Sequence, residues 1–187
     1  MIKLLCLLFA AALASPALAE DSYTIDSSHT WPMFEVSHVG YSMQRGRFNK
    51  TTGKIILDIA ARKGSVDLTI ETASLDMGFA KWTEHMKGEE FFDATEYPTM
   101  HFVSDKLLFD GDKVVGAEGN FTLLRKTHPL TLRVDGFYCA PFPFTKKMHC
   151  GANITATILR SQYGMGRYVS MIGDEVKLIS PIEADKD

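Results

Sequence analysis

The sequence lacks the short motifs by which most enzymes hold metals, phosphates or nucleotides. It contains no His-x-His or His-Glu-x-x-His pair, no Gly-x-Ser-x-Gly turn, no glycine-rich phosphate loop and no dinucleotide fingerprint. The six histidines are scattered instead, as His29, His38, His85, His101, His128 and His149. The sequence therefore predicts no catalytic residue, no metal ligand and no cofactor.

Stripes of positive charge and long hydrophobic runs are also scarce. Lys and Arg number 20 against 23 Asp and Glu, and no segment concentrates the cations, which argues against nucleic acid as a partner. One apolar run, residues 4–13, follows Lys3 and precedes Ala17-Leu18-Ala19, the pattern of a secretory signal peptide, and it is too short to span a bilayer. We expect residues 1–19 to be removed on export, and residues 20–187 to form a single periplasmic domain.

Only three cysteines occur, and Cys6 lies in the expected signal peptide. The other two, Cys139 and Cys150, flank a segment that contains two prolines, and in an oxidising compartment such a pair favours a disulfide. The alternative is a zinc site formed by both thiolates and His149. That site lacks a fourth ligand and the usual ligand spacing.

Most of the chain alternates between apolar and polar residues with the period of two that is typical of β-strands. Eight such runs can be counted: residues 33–39, 47–59, 65–72, 98–109, 114–124, 130–138, 152–160 and 174–184. Short connections favour antiparallel pairing of successive strands, and eight antiparallel strands close naturally into an up-and-down, lipocalin-like barrel. The predicted fold is therefore all-β.

A short helical segment is expected between the third and fourth strands. Phe79, Trp82 and Met86 follow the spacing i, i+3, i+7, which places them on one face of a helix. Phe91 and Phe92 follow a glycine that favours the end of this helix. We interpret the segment as a lid over one open end of the barrel, and ordinary core packing is the alternative.

Residues two apart share a face of a strand, so the alternation also predicts the barrel interior. Small residues at inward positions (Ser104, Ala117, Gly119, Gly136 and Ala156) leave the centre unfilled and favour a cavity, although they could instead mark bends. The residues expected to bind a ligand, from the strands and the lid, are Phe34, Val36, His38, Ile55, Leu57, Val66, Leu68, Ile70, Phe79, Trp82, His85, Met86, Phe91, Phe92, Met100, Phe102, Ala117, Phe121, Leu132 and Ala156.

Several segments, taken in their order and spacing, resemble the YceI-like polyisoprenoid-binding proteins. They are Tyr23-Thr24-Ile25-Asp26 with Ser28-His29, Phe34 with Val36 and His38, Gly46-Arg47-Phe48, residues 74–76, His85 with residues 91–98 and Phe102, and residues 158–166. The resemblance covers nearly all of the chain after residue 19. One departure is Leu124-Arg125-Lys126-Thr127, which stands where the family has a Gly-x-Thr-Arg turn.

The resemblance implies an exported binding or carrier protein, not an enzyme, whose barrel holds the tail of a long-chain isoprenoid quinone or prenyl phosphate. A membrane or a respiratory-chain component would donate or accept this lipid, and a homodimer is left open. Positive charge near one rim could attract the headgroup, as could His85; the residues concerned are Arg125, Lys126, His128, Arg160 and Arg167. Two alternatives remain: an enzyme with His38 or His85 as acid or base, and a solid barrel whose loops recognise a protein.

Overall fold

The computed structural model describes residues 20–187, so the expected signal peptide lies outside the described residues. This part of the chain contains one α-helix, α1 (Ala80–Lys87), and a series of strands. The strands are β1 (Asp21–Ile25), β2 (Met33–His38), β3 (Ser42–Phe48), β4 (Thr51–Asp58), β5 (Lys63–Glu71), β6 (Leu75–Asp76), β7 (Thr99–Asp110), β8 (Lys113–Leu123), β9 (Lys126–Pro141), β10 (Met148–Leu159) and β11 (Ile172–Lys186).

Eight of these strands form a closed antiparallel ring. The order is β1, β4, β5, β7, β8, β9, β10 and β11, and β1 pairs with β11 to complete it. At this junction Tyr23 lies opposite Lys186, and Ile25 lies opposite Ala184. The predicted eight-stranded barrel is confirmed.

The other strands extend the wall from the N-terminal half of β11, away from its junction with β1. Here β11 pairs with β2, β2 with β3, and β3 with the short strand β6. Within residues 20–187, β3 is the only strand paired with β6, so the wall is interrupted between β6 and β7. The helix α1 follows β6 in the chain and contacts it, and Thr83 Oγ1 accepts a hydrogen bond of 3.0 Å from the Met77 N–H. The lid segment, residues 79–97, lies between β5 and β7, the third and fourth strands of the ring, as predicted.

The structure divides one predicted strand and adds two others. The run at residues 47–59 is split at Asn49 and Lys50, so that its first part belongs to β3 and its second to β4. The strands β1 and β6 were not among the eight predicted runs because they are only five and two residues long. Such short segments carry too few alternations for a period of two to be recognised.

The lid helix is peripheral, in contrast to the aromatic residues that follow it. No residue of α1 is fully buried, whereas Phe91 and Phe92 are 8% and 7% exposed.

No helix within residues 20–187 combines the length and the hydropathy needed to cross a bilayer.

The predicted disulfide is present between Cys139 and Cys150. The two residues lie directly opposite one another on β9 and β10, with 4.1 Å between their Cα atoms. Because both sulfurs are bonded to each other, the alternative zinc site is wrong. His149 faces Asp185 and Glu183 instead, at 2.8 and 2.9 Å.

Reduction of this disulfide should lower the thermal stability of the protein. Closing a loop with a sequence separation of 11 stabilises the folded state by about 3 kcal/mol in the chain-entropy model. For a domain of this size we expect Tm to fall by about 6–12 °C. Thermal unfolding with and without reductant measures the effect, and a double variant, Cys139→Ser with Cys150→Ser, is the control that should not respond. An unchanged Tm in the reduced wild type would contradict the expectation.

Candidate ligand cavity

The barrel interior contains a cavity of about 510 Å³. It is bounded by side chains from all eight strands of the ring and from the lid segment, and almost all of its surface is apolar. Its volume lies within the range of about 300–1,000 Å³ that is typical of small-molecule sites. The barrel is therefore not solid, unlike the filled alternative considered from the sequence.

The cavity lining includes most of the residues that the sequence assigned to it. They are Phe34, Val36, His38, Ile55, Leu57, Val66, Leu68, Ile70, Trp82, His85, Met86, Phe91, Phe92, Met100, Phe102, Ala117, Phe121 and Leu132. The strand residues among them confirm the predicted inward phase, because their side chains share one face of the sheet. The structure thus brings together residues from all parts of the barrel wall.

Two assigned residues do not line the cavity, and the structure corrects both. Phe79 is 55% exposed. The helix α1 begins at Ala80, so Phe79 precedes it in an extended conformation and does not share its predicted face. Ala156 lies on the inward phase of β10 and packs against the core. Its single methyl group is too short to reach the cavity surface that its neighbours Ile154 and Ile158 form.

Three phenylalanine rings pack together where the lid segment meets the barrel wall. The ring of Phe92 lies 5.8 Å from that of Phe34 and 5.4 Å from that of Phe48, the latter edge to face. Aromatic pairs of this geometry stabilise a core beyond the area that they bury. The lid is therefore anchored by Phe92, whose backbone N–H also donates to Met86 O at 3.1 Å.

The cavity opens between three segments, residues 38–41, 82–86 and 168–171, which we call the rim. Several rim residues both line the cavity and are exposed to solvent: Val39 is 45% exposed, Trp82 41% and Met171 52%. The segments contact each other, since the Val39 N–H donates to Met171 O at 2.8 Å and the rings of His38 and Trp82 are 5.9 Å apart. The mouth of the cavity is therefore predominantly apolar, and His38 and His85 are polar residues of its lining.

A buried arginine holds the third rim segment in place. Arg160 is 4% exposed, and its guanidinium donates to the carbonyl oxygens of Met165, Arg167, Ile172 and Gly173. Burial lowers the pKa of Arg160 from its ordinary value. Because four backbone acceptors already engage this cation, its role here is to fix the chain on either side of the rim.

Among the residues that the structure describes, the other predicted cationic residues do not line the cavity. They are Arg125, Lys126, His128 and Arg167. Arg125 Nη2 donates to Glu96 Oε1 at 2.9 Å. Arg167 adjoins the rim, where it pairs with Glu90 at 2.7 Å and covers the ring of Tyr168 at 5.2 Å. Of these residues, Arg125 and Arg167 are therefore already paired with carboxylates.

One polar atom in the cavity wall has no protein partner. Thr51 lines the cavity and is 1% exposed, and among residues 20–187 no group hydrogen bonds to its Oγ1. A buried hydroxyl without a partner is unfavourable unless a ligand or water completes it. Thr51 can therefore supply one hydrogen bond to a guest in an otherwise apolar site.

Sequence reasoning missed several lining residues for two different reasons. Tyr23 and Phe48 belong to segments quoted above for the family resemblance, but they were not assigned to the cavity. For Tyr23, the alternation with Ile25 was a usable signal that this segment is a strand. Tyr168 and Met171 lie in an irregular segment, where no period exists to show which side chains face the cavity.

A family profile described as the YceI-like domain matches residues 23–184. A UPF0312 protein of Vibrio campbellii is 37% identical over 134 residues, which is 69% of each chain. A UPF0312 protein of Vibrio vulnificus is 36% identical over 118 residues, and this chain spans 61% of its length.

Solved structures share the fold at lower identity. The crystal structure of Burkholderia cenocepacia BcnA is matched with a TM-score of 0.74 and 23% identity, over 85% of this chain and 98% of that one. The structure of a polyisoprenoid binding domain from Saccharophagus degradans is matched with a TM-score of 0.62 and 13% identity, over 88% and 98%. Since the family profile spans nearly the whole described barrel, the chain belongs to the YceI-like family.

Proposed function

We propose that this protein is a periplasmic carrier that binds one long-chain isoprenoid lipid, a quinone or a prenyl phosphate, with the tail inside the barrel. The observation that carries the proposal is a cavity with an almost wholly apolar wall that opens through a predominantly apolar rim. A flexible hydrocarbon chain can enter such a site without exposing its length to water. The polyisoprenoid binding domain from Saccharophagus degradans has the same fold, which supports this choice of ligand.

Burial of the tail provides enough free energy for tight binding. At about −0.3 kcal/mol per atom, a tail of about forty carbons gains at most about 12 kcal/mol, the value for complete burial, which corresponds to nanomolar affinity. The aliphatic and aromatic side chains of the wall supply this contact. The histidines of the cavity act as wall residues in this proposal, since the ring of His38 packs on Trp82 and that of His85 packs on Phe91. No catalytic step is assigned to them.

Two features support export to the periplasm. Residues 1–19 have the composition of a cleaved signal peptide. The pairing of Cys139 with Cys150 suits an oxidising compartment, since disulfides persist there and are rare in the cytosol.

Delivery of lipid to or from a membrane, or a respiratory-chain component, would proceed at the rim, where Trp82, Val39 and Met171 combine exposure with contact to the cavity. Tryptophan in particular is favoured at membrane interfaces.

Native mass spectrometry tests the proposed ligand directly. Protein exported in its own host and purified without detergent should carry one lipid per chain, and fragmentation of the released ligand should show an isoprenoid tail. Delipidated protein should take up a long-chain quinone or a prenyl phosphate at a ratio of one to one. An empty protein that takes up neither lipid would contradict the proposal, and a bound straight-chain fatty acid would replace the isoprenoid.

A further inference from the structure

A cluster of polar side chains lies at the end of β11 opposite the rim, where the turn after β1 meets the last strand. Asp26, His29 and Glu183 each offer one ligand atom there, and the three atoms lie within 4.8 Å of one another. His29 Nδ1 is 2.6 Å from Asp26 Oδ2 and 3.8 Å from Glu183 Oε2. One imidazole nitrogen and two carboxylate oxygens therefore converge on a small volume.

Backbone hydrogen bonds hold the two parts of this cluster together. The Asp26 N–H donates to Glu183 O at 2.9 Å, and the Glu183 N–H donates to Thr30 Oγ1 at 3.1 Å. These bonds fix the turn against β11 without involving the side chains that converge. The cluster is thus assembled by the fold itself. Its side chains hydrogen bond to one another and to His149, so an ion bound here would replace the hydrogen bond between His29 Nδ1 and Asp26 Oδ2.

Both carboxylates are oriented by further side chains. Ser28 donates to Asp26 Oδ1 from its N–H at 2.8 Å and from its Oγ at 2.6 Å, which leaves Oδ2 to face His29. His149 Nε2 lies 2.9 Å from Glu183 Oε2, and its Nδ1 lies 2.8 Å from an Asp185 oxygen. Outer hydrogen bonds of this kind orient the ligands of metal sites and are part of their affinity.

We propose that Asp26, His29 and Glu183 bind a divalent transition metal. Ligands about 2.0–2.2 Å from a zinc ion lie about 3.4 Å apart in a tetrahedron, a separation that small side-chain rotations reach from the observed distances. Asp26, His29 and Glu183 expose 22%, 54% and 36% of their side chains, so an ion can enter and water can complete its coordination. Imidazole combined with carboxylate suits zinc better than it suits magnesium or calcium.

A metal at this position would link the strands that close the barrel. Asp26 and His29 follow β1, Glu183 belongs to β11, and the pairing of Ile25 with Ala184 completes the ring beside them. An ion shared by both sides would stabilise the folded state, because unfolding separates its ligands. The expected role of the metal is therefore structural.

Zinc chloride is the probe for this site. Untagged full-length protein, stripped with a chelator and with its disulfide intact, should bind one Zn²⁺ with micromolar affinity in isothermal titration calorimetry. At a hundredfold excess of free Zn²⁺ over Kd, Tm should rise by about 5–10 °C, and a chelator should reverse the rise. Magnesium at the same concentration should leave Tm unchanged.

Two variants distinguish this site from others on the surface. Asp26→Asn keeps a side-chain oxygen for the Ser28 hydrogen bonds, and His29→Ala alters a largely exposed residue, so both should fold. Each should weaken zinc binding at least tenfold, whereas the control His128→Ala, which removes an imidazole elsewhere, should bind as the wild type does. Absence of binding at millimolar zinc, or wild-type affinity in Asp26→Asn and His29→Ala, would overturn the proposal.

Discussion

Leu132→Trp should strongly weaken lipid binding while leaving the barrel folded. Leu132 lies near the middle of β9, faces the cavity and is only partly buried, and it pairs across the sheet with Ala117. An indole at this position would occupy the space through which a tail must pass. We expect binding of a long-chain isoprenoid quinone to weaken at least about a hundredfold, since a blocked tail forfeits several kcal/mol of apolar contact.

Stability provides the second readout of this variant. Inserting a large side chain into a filled core costs about 1–3 kcal/mol, whereas an unfilled cavity accepts it at little cost. Tm should therefore stay within a few degrees of the wild-type value. Thr131→Trp is the matched control, because Thr131 is exposed on the outer face of the same strand and its replacement should leave both lipid uptake and Tm unchanged. Wild-type uptake by Leu132→Trp would show that the tail does not occupy this part of the barrel.

Phe92→Ala should destabilise the protein far more than Trp82→Ala. Phe92 is 7% exposed and packs on Phe34 and Phe48, so its truncation should cost about 3–5 kcal/mol and lower Tm by about 10 °C or more. Trp82 is 41% exposed at the mouth of the cavity, so its truncation should cost about 1 kcal/mol or less. The loss in Trp82→Ala should appear in lipid affinity instead.

Urea denaturation and lipid uptake, measured on both single variants, separate the two roles. The midpoint of unfolding should shift strongly for Phe92→Ala at an unchanged slope, and little for Trp82→Ala. Trp82→Ala should bind lipid several-fold more weakly than the wild type. Equal shifts of the unfolding midpoint would mean that Trp82 is an ordinary core residue, in which case the sequence interpretation of the lid as part of the ligand site would be wrong.

The regular part of the barrel was predictable because alternation carries two pieces of information at once. A period of two identifies a strand, and its phase identifies the inward face, so residues such as Val66, Leu68 and Ile70 were placed correctly from sequence alone. An eight-stranded barrel was predicted from the number of runs and their short connections, but its membership differs by one strand. The run at residues 33–39 is β2 and lies outside the ring, whose eighth place is taken by β1. The lid was recognised by the change from a period of two to helical spacing near Trp82.

Sites formed by irregular segments could not be predicted in this way. The rim residues Tyr168 and Met171 lie outside any strand, and Arg160 organises them through carbonyl oxygens that no sequence pattern reports. The Asp26, His29 and Glu183 cluster was missed because Glu183 lies on the last strand, far along the chain from the other two. Only the barrel closure brings these residues together.

The closing strand has a further consequence for how the chain matures. β11 follows every other strand in the chain, yet it pairs with β10, β2 and β1. Until β11 docks, a nascent chain carries an open sheet whose edge strands, β1 and β10, are each unpaired on one side and whose concave face is apolar. Exposed edges and apolar surfaces of this kind promote association between chains. Association between chains is therefore most favoured in the interval before β11 docks.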